Sequence, residues 1–344
     1  MKDQTAELSK YFARNHCWQC PEAISSTTHC QIFGTKDRPL LRKGQTNRAL
    51  FYAGCFNPPH IGHLSFLRRA FEGTHDINVI AAVILPLDSH GLRSKRRVNG
   101  KDLILSKSDR VRLWRSDARM LPEWWVYDGT VSDWDILRAK VEEAIEWDGF
   151  DFQFVAMSGP DHISRFKTYS GWTWSCFETV TSDAGRHSDL VKPDGSLYTL
   201  SEEVEEVEDS GEEELEEYGD VEDQAEQTLQ ERKGEVEEDE EQAENTEEEV
   251  PRLDRKIARR LAKHPVQVLK VKVCRLKWSK LWVRFVPADG EPLDISSTQI
   301  RDIIEDGKLS SEELHERLKD MVLSPEVLNE ILASQPSRDV ARNW

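Results

Sequence analysis

Residues 51–66 read FYAGCFNPPHIGHLSF. Residues 49–53, Ala-Leu-Phe-Tyr-Ala, have the length and aromatic content of a buried strand, and Gly54 through Pro59 cannot continue it, because a glycine and two prolines punctuate the backbone. The spacing predicts a helix from about Ile61 that carries Leu64, Leu67 and Ala70 or Phe71 inward and leaves Arg68 and Arg69 to solvent. A strand, loop and helix in this order aim backbone N–H groups and the positive end of a helix dipole at one point, where an anion binds. His60 and His63 stand at that point.

A second helix start lies far along the chain, in Ile295-Ser296-Ser297-Thr298-Gln299-Ile300-Arg301. Ser296 or Ser297 is suited to cap a helix over about 298–305, with Arg301 one turn in. The run Gly54 to His63 resembles the GxFNPPHxGH signature of the nucleotidylyltransferases, most closely the nicotinamide mononucleotide adenylyltransferases, and ISSTQIR matches the ISSTxxR pattern of the same family. Residues 154–161, FVAMSGPD, look like that family's strand ending in a Gly-Ala-Asp turn, with Pro160 in place of the alanine. Residues 322–327, VLSPEV, are similar to its closing segment, so the resemblance extends over roughly 47–200 and 265–333.

His60-Ile61-Gly62-His63 also resembles the HIGH signature of class I aminoacyl-tRNA synthetases, and Leu105-Ser106-Lys107-Ser108 faintly their KMSKS loop. In that family the two motifs flank a long nucleotide-binding domain, whereas here they lie close together and nothing resembles a tRNA-binding appendage.

The nucleotidylyltransferase resemblance implies direct adenylyl transfer: a mononucleotide phosphate attacks the α-phosphorus of ATP in line, and pyrophosphate leaves with Mg²⁺. It implies catalytic roles for His60, His63 and Arg301. Gly54, Cys55 and Phe56, with Ser297, Thr298, Gln299 and Ile300, would bind ATP. Gly159 and Asp161 would border the acceptor nucleoside. Relatives that use nicotinamide mononucleotide carry a Trp-Glu pair against the nicotinamide ring, for which Trp134-Asp135 is the nearest substitute, and Arg186 resembles a family arginine near the second nucleotide. The expected function is ATP-dependent adenylyl transfer to nicotinamide or nicotinic acid mononucleotide; a CTP-dependent cytidylyltransferase and a nucleotide-binding regulator without strong turnover are the alternatives.

Alternation of strand at 49–53, helix at 61–72, strand at 78–85, helices at 108–119 and 133–146, and strands at 152–157 and 281–286 describes an α/β, Rossmann-like doubly wound parallel sheet. Ligands in such sheets bind at the carboxyl ends of the strands, which the His-x-Gly-His loop and the Gly159-Pro160-Asp161 turn both occupy.

The formal net charge of −18 is unevenly spread: residues 202–249 hold 26 acidic and 2 basic residues, a local −24 that leaves +6 for the rest. So acidic a block, poor in apolar residues, is expected to be a disordered insertion in one domain, over 201–250, between a first core part at 47–200 and a second at 251–333, with an extension at 1–46 and a tail at 334–344. Its sharper role would be to fold back on the basic stretch from Arg252 to Arg284.

Cys17 and Cys20 with Cys30 leave a zinc site conceivable in the extension, although one CxxC is a weak signal. No secretory signal or apolar span is legible, so the expected location is the cytoplasm, with LRSKRR at 92–97 read first as a substrate loop and second as a nuclear address. Expected partners are small molecules, ATP and a mononucleotide, with no membrane and no specific nucleic acid; a homo-oligomer is left open.

Overall fold

The computed structural model describes residues 5–16, 32–34, 38–88, 103–159, 174–185, 204–207, 271–276, 282–290, 293, 295–306 and 309–334. The acidic block beyond residue 207, the basic run at 92–97 and Cys17, Cys20 and Cys30 lie outside the described residues.

The strands are β1 (Thr5–Glu7), β2 (Leu40–Arg42), β3 (Thr46–Gly54), β4 (Val79–Pro86), β5 (Trp124–Val126), β6 (Asp151–Met157), β7 (Glu178–Ser182), β8 (Val204–Val207), β9 (Lys272–Leu276) and β10 (Trp282–Val286). The helices are α1 (Leu8–His16), α2 (Ile61–Glu72), α3 (Lys107–Arg115), α4 (Val131–Trp147), α5 (Ser297–Glu305), α6 (Ser311–Leu318) and α7 (Pro325–Ser334). The main sheet runs in the order β5-β4-β3-β6-β7-β10-β9-β8. From β5 to β10 every neighbouring pair is parallel, whereas β9 and β8 are added antiparallel at the edge.

This is the doubly wound arrangement. The chain winds outward from β3 through β4 to β5, returns along α4, and winds the other way from β6, so the switch point falls between β3 and β6. β3 is therefore central and its carboxyl end opens on the crevice.

Alternation along β3 distributes its side chains to opposite faces. Ala49 and Phe51 join α1 and α4 through Phe12, Trp134, Leu137, Val141 and Ile145. Leu50 and Tyr52 join α2 and α3 through Leu64, Leu67, Phe71, Val111 and Trp114. A third cluster links α5, α6 and α7 to Leu103, Leu105 and Leu113.

Residues 5–16 and 40–42, within the extension, pack on the core: Leu8 and Phe12 of α1 are fully buried, and β2 is tied to β3 where the buried Asn47 amide accepts from Arg42 N–H and donates to its carbonyl. Residues 204–207, at the start of the acidic block, pair as β8 against β9. One expectation changes: Arg69, expected in solvent, is buried, and it donates to the Pro287 carbonyl and pairs with Asp289, because the loop after β10 covers that side of α2. Among the described residues no helix is long and apolar enough to cross a membrane.

The α1–α4 contact carries a pH dependence. Tyr11 Oη–H donates to Asp148 Oδ2 at 2.7 Å, and burial, with that carboxylate beside it, pushes the phenol from 10.0 up to about 12. A folded-state value above the unfolded one means the contribution is complete below pH 10.0 and is lost as pH rises toward about 12. Melting curves of the wild type and Tyr11→Phe are expected to differ in slope against pH only in that window; parallel curves would show that the pair does not titrate with folding.

Candidate functional site

The loop between β3 and α2 is held from inside by its own side chains. Phe56 takes a left-handed backbone, φ 45°, which costs a non-glycine residue about 1 kcal/mol. Its ring offsets that cost by packing edge-on against Tyr52 at 4.9 Å and Trp114 at 5.3 Å. Gly54 is required beneath it, since a Cβ there would come within 2.7 Å of the Phe56 ring. Asn57 fastens the loop to the following segment: its Nδ2–H donates to the Leu103 carbonyl and its Oδ1 accepts from Leu105 N–H, each at 2.9 Å.

His60 is the extended N-cap of α2, and its backbone N–H donates to His63 Nδ1 at 3.2 Å. An accepting Nδ1 assigns the His63 proton to Nε2 in the neutral ring. The two imidazoles lie with centroids 3.6 Å apart, so both sit over the first turn of α2. Close packing of that turn depends on a second glycine pair. A Cβ on Gly62 would lie 3.0 Å from the Gly185 carbonyl oxygen, and one on Gly185 would lie 2.7 Å from the Gly62 oxygen.

The distant motif arrives on the same loop. Ser296 caps α5, its Oγ accepting from Gln299 N–H at 3.1 Å. Ser297 Oγ–H donates to the Pro58 carbonyl at 2.9 Å, and Arg301 Nη1–H donates to the Asn57 carbonyl at 2.6 Å, with Nη2 reaching Thr298 Oγ1 at 3.1 Å. Ile300 faces inward and is fully buried, whereas Thr298 and Gln299 are exposed. Burial lowers the Arg301 pKa from its ordinary value, but a guanidinium remains cationic at neutral pH.

The closing segment completes the enclosure. Ile61 N–H donates to the Met321 carbonyl at 2.9 Å and Leu323 N–H to the Pro59 carbonyl at 3.2 Å, making a bridge of Val322 with His60. Asp117, buried, holds that segment by accepting from Ser324 N–H at 3.1 Å.

The remaining candidates separate. Gly159 follows β6 at the carboxyl end of the sheet, half-buried. Asp161 and Arg186 lie outside the described residues. Trp134, expected as an aromatic wall, does not face the crevice: it is fully buried and stacked on Phe51 at 4.8 Å with an interplanar angle of 5°. The reason was present in the sequence, since Trp134, Leu137, Val141 and Ile145 recur at helical spacing and form the inward stripe of α4. Arg110 stands on the same helical stripe as Leu113 and Trp114, where a charge is out of place, and that spacing is the sequence signal of its burial. Lys107, in the segment likened to a synthetase loop, donates to Asp88 Oδ1 at 2.9 Å and so braces the ends of β4 and α3.

Residues 51–170 match the cytidylyltransferase-like family model. The chain thus carries a nucleotidylyltransferase-like domain, and the matched stretch holds the carboxyl end of β3, the loop and α2. Among solved structures, the nicotinic acid mononucleotide adenylyltransferase of Plasmodium falciparum complexed with APC is similar at 11% identity and a TM-score of 0.26, over 40% of this chain and 63% of that one. The same enzyme complexed with NaAD is similar at 14% identity and a TM-score of 0.26, over the same shares of the two chains. A candidate nicotinate-nucleotide adenylyltransferase of Vibrio parahaemolyticus shows 14% identity and a TM-score of 0.25, over 40% of this chain and 77% of that one. The chain therefore spans less than two thirds of the Plasmodium enzyme's length. No curated protein matches it.

Proposed function

We propose that the protein is a nucleotidylyltransferase that transfers the adenylyl group of ATP to nicotinamide or nicotinic acid mononucleotide, giving the dinucleotide and pyrophosphate. The observation that carries this reading is the meeting of the two motifs: Ser297 and Arg301 donate to the Pro58 and Asn57 carbonyls of the loop that His60 caps. Two helix N-termini and a guanidinium then surround one place at the carboxyl end of β3, next to the switch point.

Such a site works by placement and charge. The acceptor phosphate is already an ionised nucleophile, so no side chain has to remove a proton from it. The N-terminus of α2 and the His63 Nε2–H would donate to phosphate oxygens, most strongly as negative charge moves onto the leaving pyrophosphate. The N-terminus of α5 and Arg301 would hold the β- and γ-phosphates in line. The donors gathered here are N–H groups and a guanidinium, which suit phosphate oxygens and leave Mg²⁺ to be held by those oxygens. When bound, the ion would neutralise phosphate charge.

The test is pyrophosphate release from purified protein with Mg²⁺, either ATP or CTP, and a panel of mononucleotides. Release is expected with ATP and a pyridine mononucleotide. Release only with CTP would move the reading to the cytidylyl branch that the family model's name describes. Tight nucleotide binding without release for any acceptor would make the chain a nucleotide-binding regulator.

A further inference from the structure

Beneath the loop lies a fully buried guanidinium, that of Arg110. Its Nη1–H donates to the Cys55 carbonyl at 2.6 Å and its Nε–H to the Ser106 carbonyl at 3.3 Å, while Nη2 is buried with no hydrogen-bond partner among the described residues. Burial lowers its pKa from the ordinary value, without taking an arginine out of its cationic form. Asp88 and Asp109 are close enough to be felt but are engaged elsewhere, Asp88 with Lys107 and Asp109 with Ser106. A buried cation that lacks a carboxylate partner destabilises the fold unless an anion compensates it.

The position of this charge is specific. Arg110 and Arg301 hold alternate carbonyls of the same loop, those of Cys55 and Asn57. Because a peptide unit is planar, holding the Cys55 carbonyl toward Arg110 turns the Phe56 N–H the opposite way, out of the buried side. We propose that Arg110 is a positioning residue of the phosphate site: it orients the loop through the Cys55 carbonyl and supplies a buried positive charge matched to the phosphate chain of a nucleoside triphosphate. This rests on reading the loop as a nucleotide-phosphate site. Having no exposed surface, Arg110 acts through the loop and through its field.

The test uses ligands without a base: inorganic phosphate, pyrophosphate and tripolyphosphate, titrated calorimetrically into the full chain as wild type, Arg110→Gln and Arg110→Lys. Wild-type affinity is expected to rise with the number of phosphates. Arg110→Gln, which keeps a donor and loses the charge, is expected to weaken tripolyphosphate by about tenfold or more and phosphate much less. Arg110→Lys is expected to restore most of the gradient. A loss in Arg110→Gln that is equal for all three ligands would overturn the proposal, as would an Arg110→Lys variant with no gradient; the latter decides if melting shows Arg110→Gln unfolded. Wild-type protein that binds none of the three would overturn the phosphate-site reading itself, whereas a wild-type gradient that both variants retain would overturn the role of Arg110 alone.

Discussion

His63→Ala is expected to lower turnover by about two orders of magnitude while leaving the nucleotide KM nearly unchanged. The asymmetry follows from where the donor acts. The His60 N–H holds His63 Nδ1, which presents Nε2–H as the donor at the start of α2, and a donor aimed at developing charge stabilises the transition state more than the bound substrate. The backbone N–H groups of the same turn remain in the variant and continue to bind the ground state. A stopped assay of pyrophosphate release at saturating substrates, beside a melting curve, checks this. The fold should survive, because the change removes one cap contact worth about 1 kcal/mol. An unchanged rate would remove His63 from the chemistry, and a rise in KM alone would make it a binding group.

Trp134→Ala is expected to destabilise the protein by about 3–5 kcal/mol, as truncation of a fully buried aromatic does. Trp134 has no exposed surface and lies between Phe51, Tyr127 and Phe154, with ring centroids at 4.8, 5.5 and 5.4 Å. Denaturant titration should show a lower midpoint, and protein that remains folded should keep its acceptor KM. The opposite pair of results, an unchanged midpoint with a weakened acceptor, would return Trp134 to the site as an aromatic wall.

These two residues illustrate what could be read in advance. The strand, loop and helix at 46–72 were legible because glycine, prolines and a helical apolar stripe are local signals, and α2 begins at Ile61 as the spacing predicts. The cap at Ser296 was legible for the same reason. Less legible were β5 and β7, short runs whose strand character depends on parallel neighbours far along the chain. The burial of Arg69 was illegible too, since a charge on a helix normally faces water and only the loop after β10 gives it its partners; Arg110 is marked by its place on the apolar stripe of α3, but the Cys55 carbonyl that holds it is not. For Trp134 the periodicity of α4 and the resemblance pointed in different directions, and the periodicity decides.

By itself, the sequence determined that this chain builds a parallel α/β sheet with a turn and a helix start after its central strand, because turn residues and apolar spacing act over a few residues at a time. Only the tertiary structure decided what stands around that start. Arg301, Ser297 and Val322 meet the loop across more than 230 residues of chain. Such contacts depend on strand order and on how the third hydrophobic cluster seats α5, α6 and α7, neither of which is encoded in any short window.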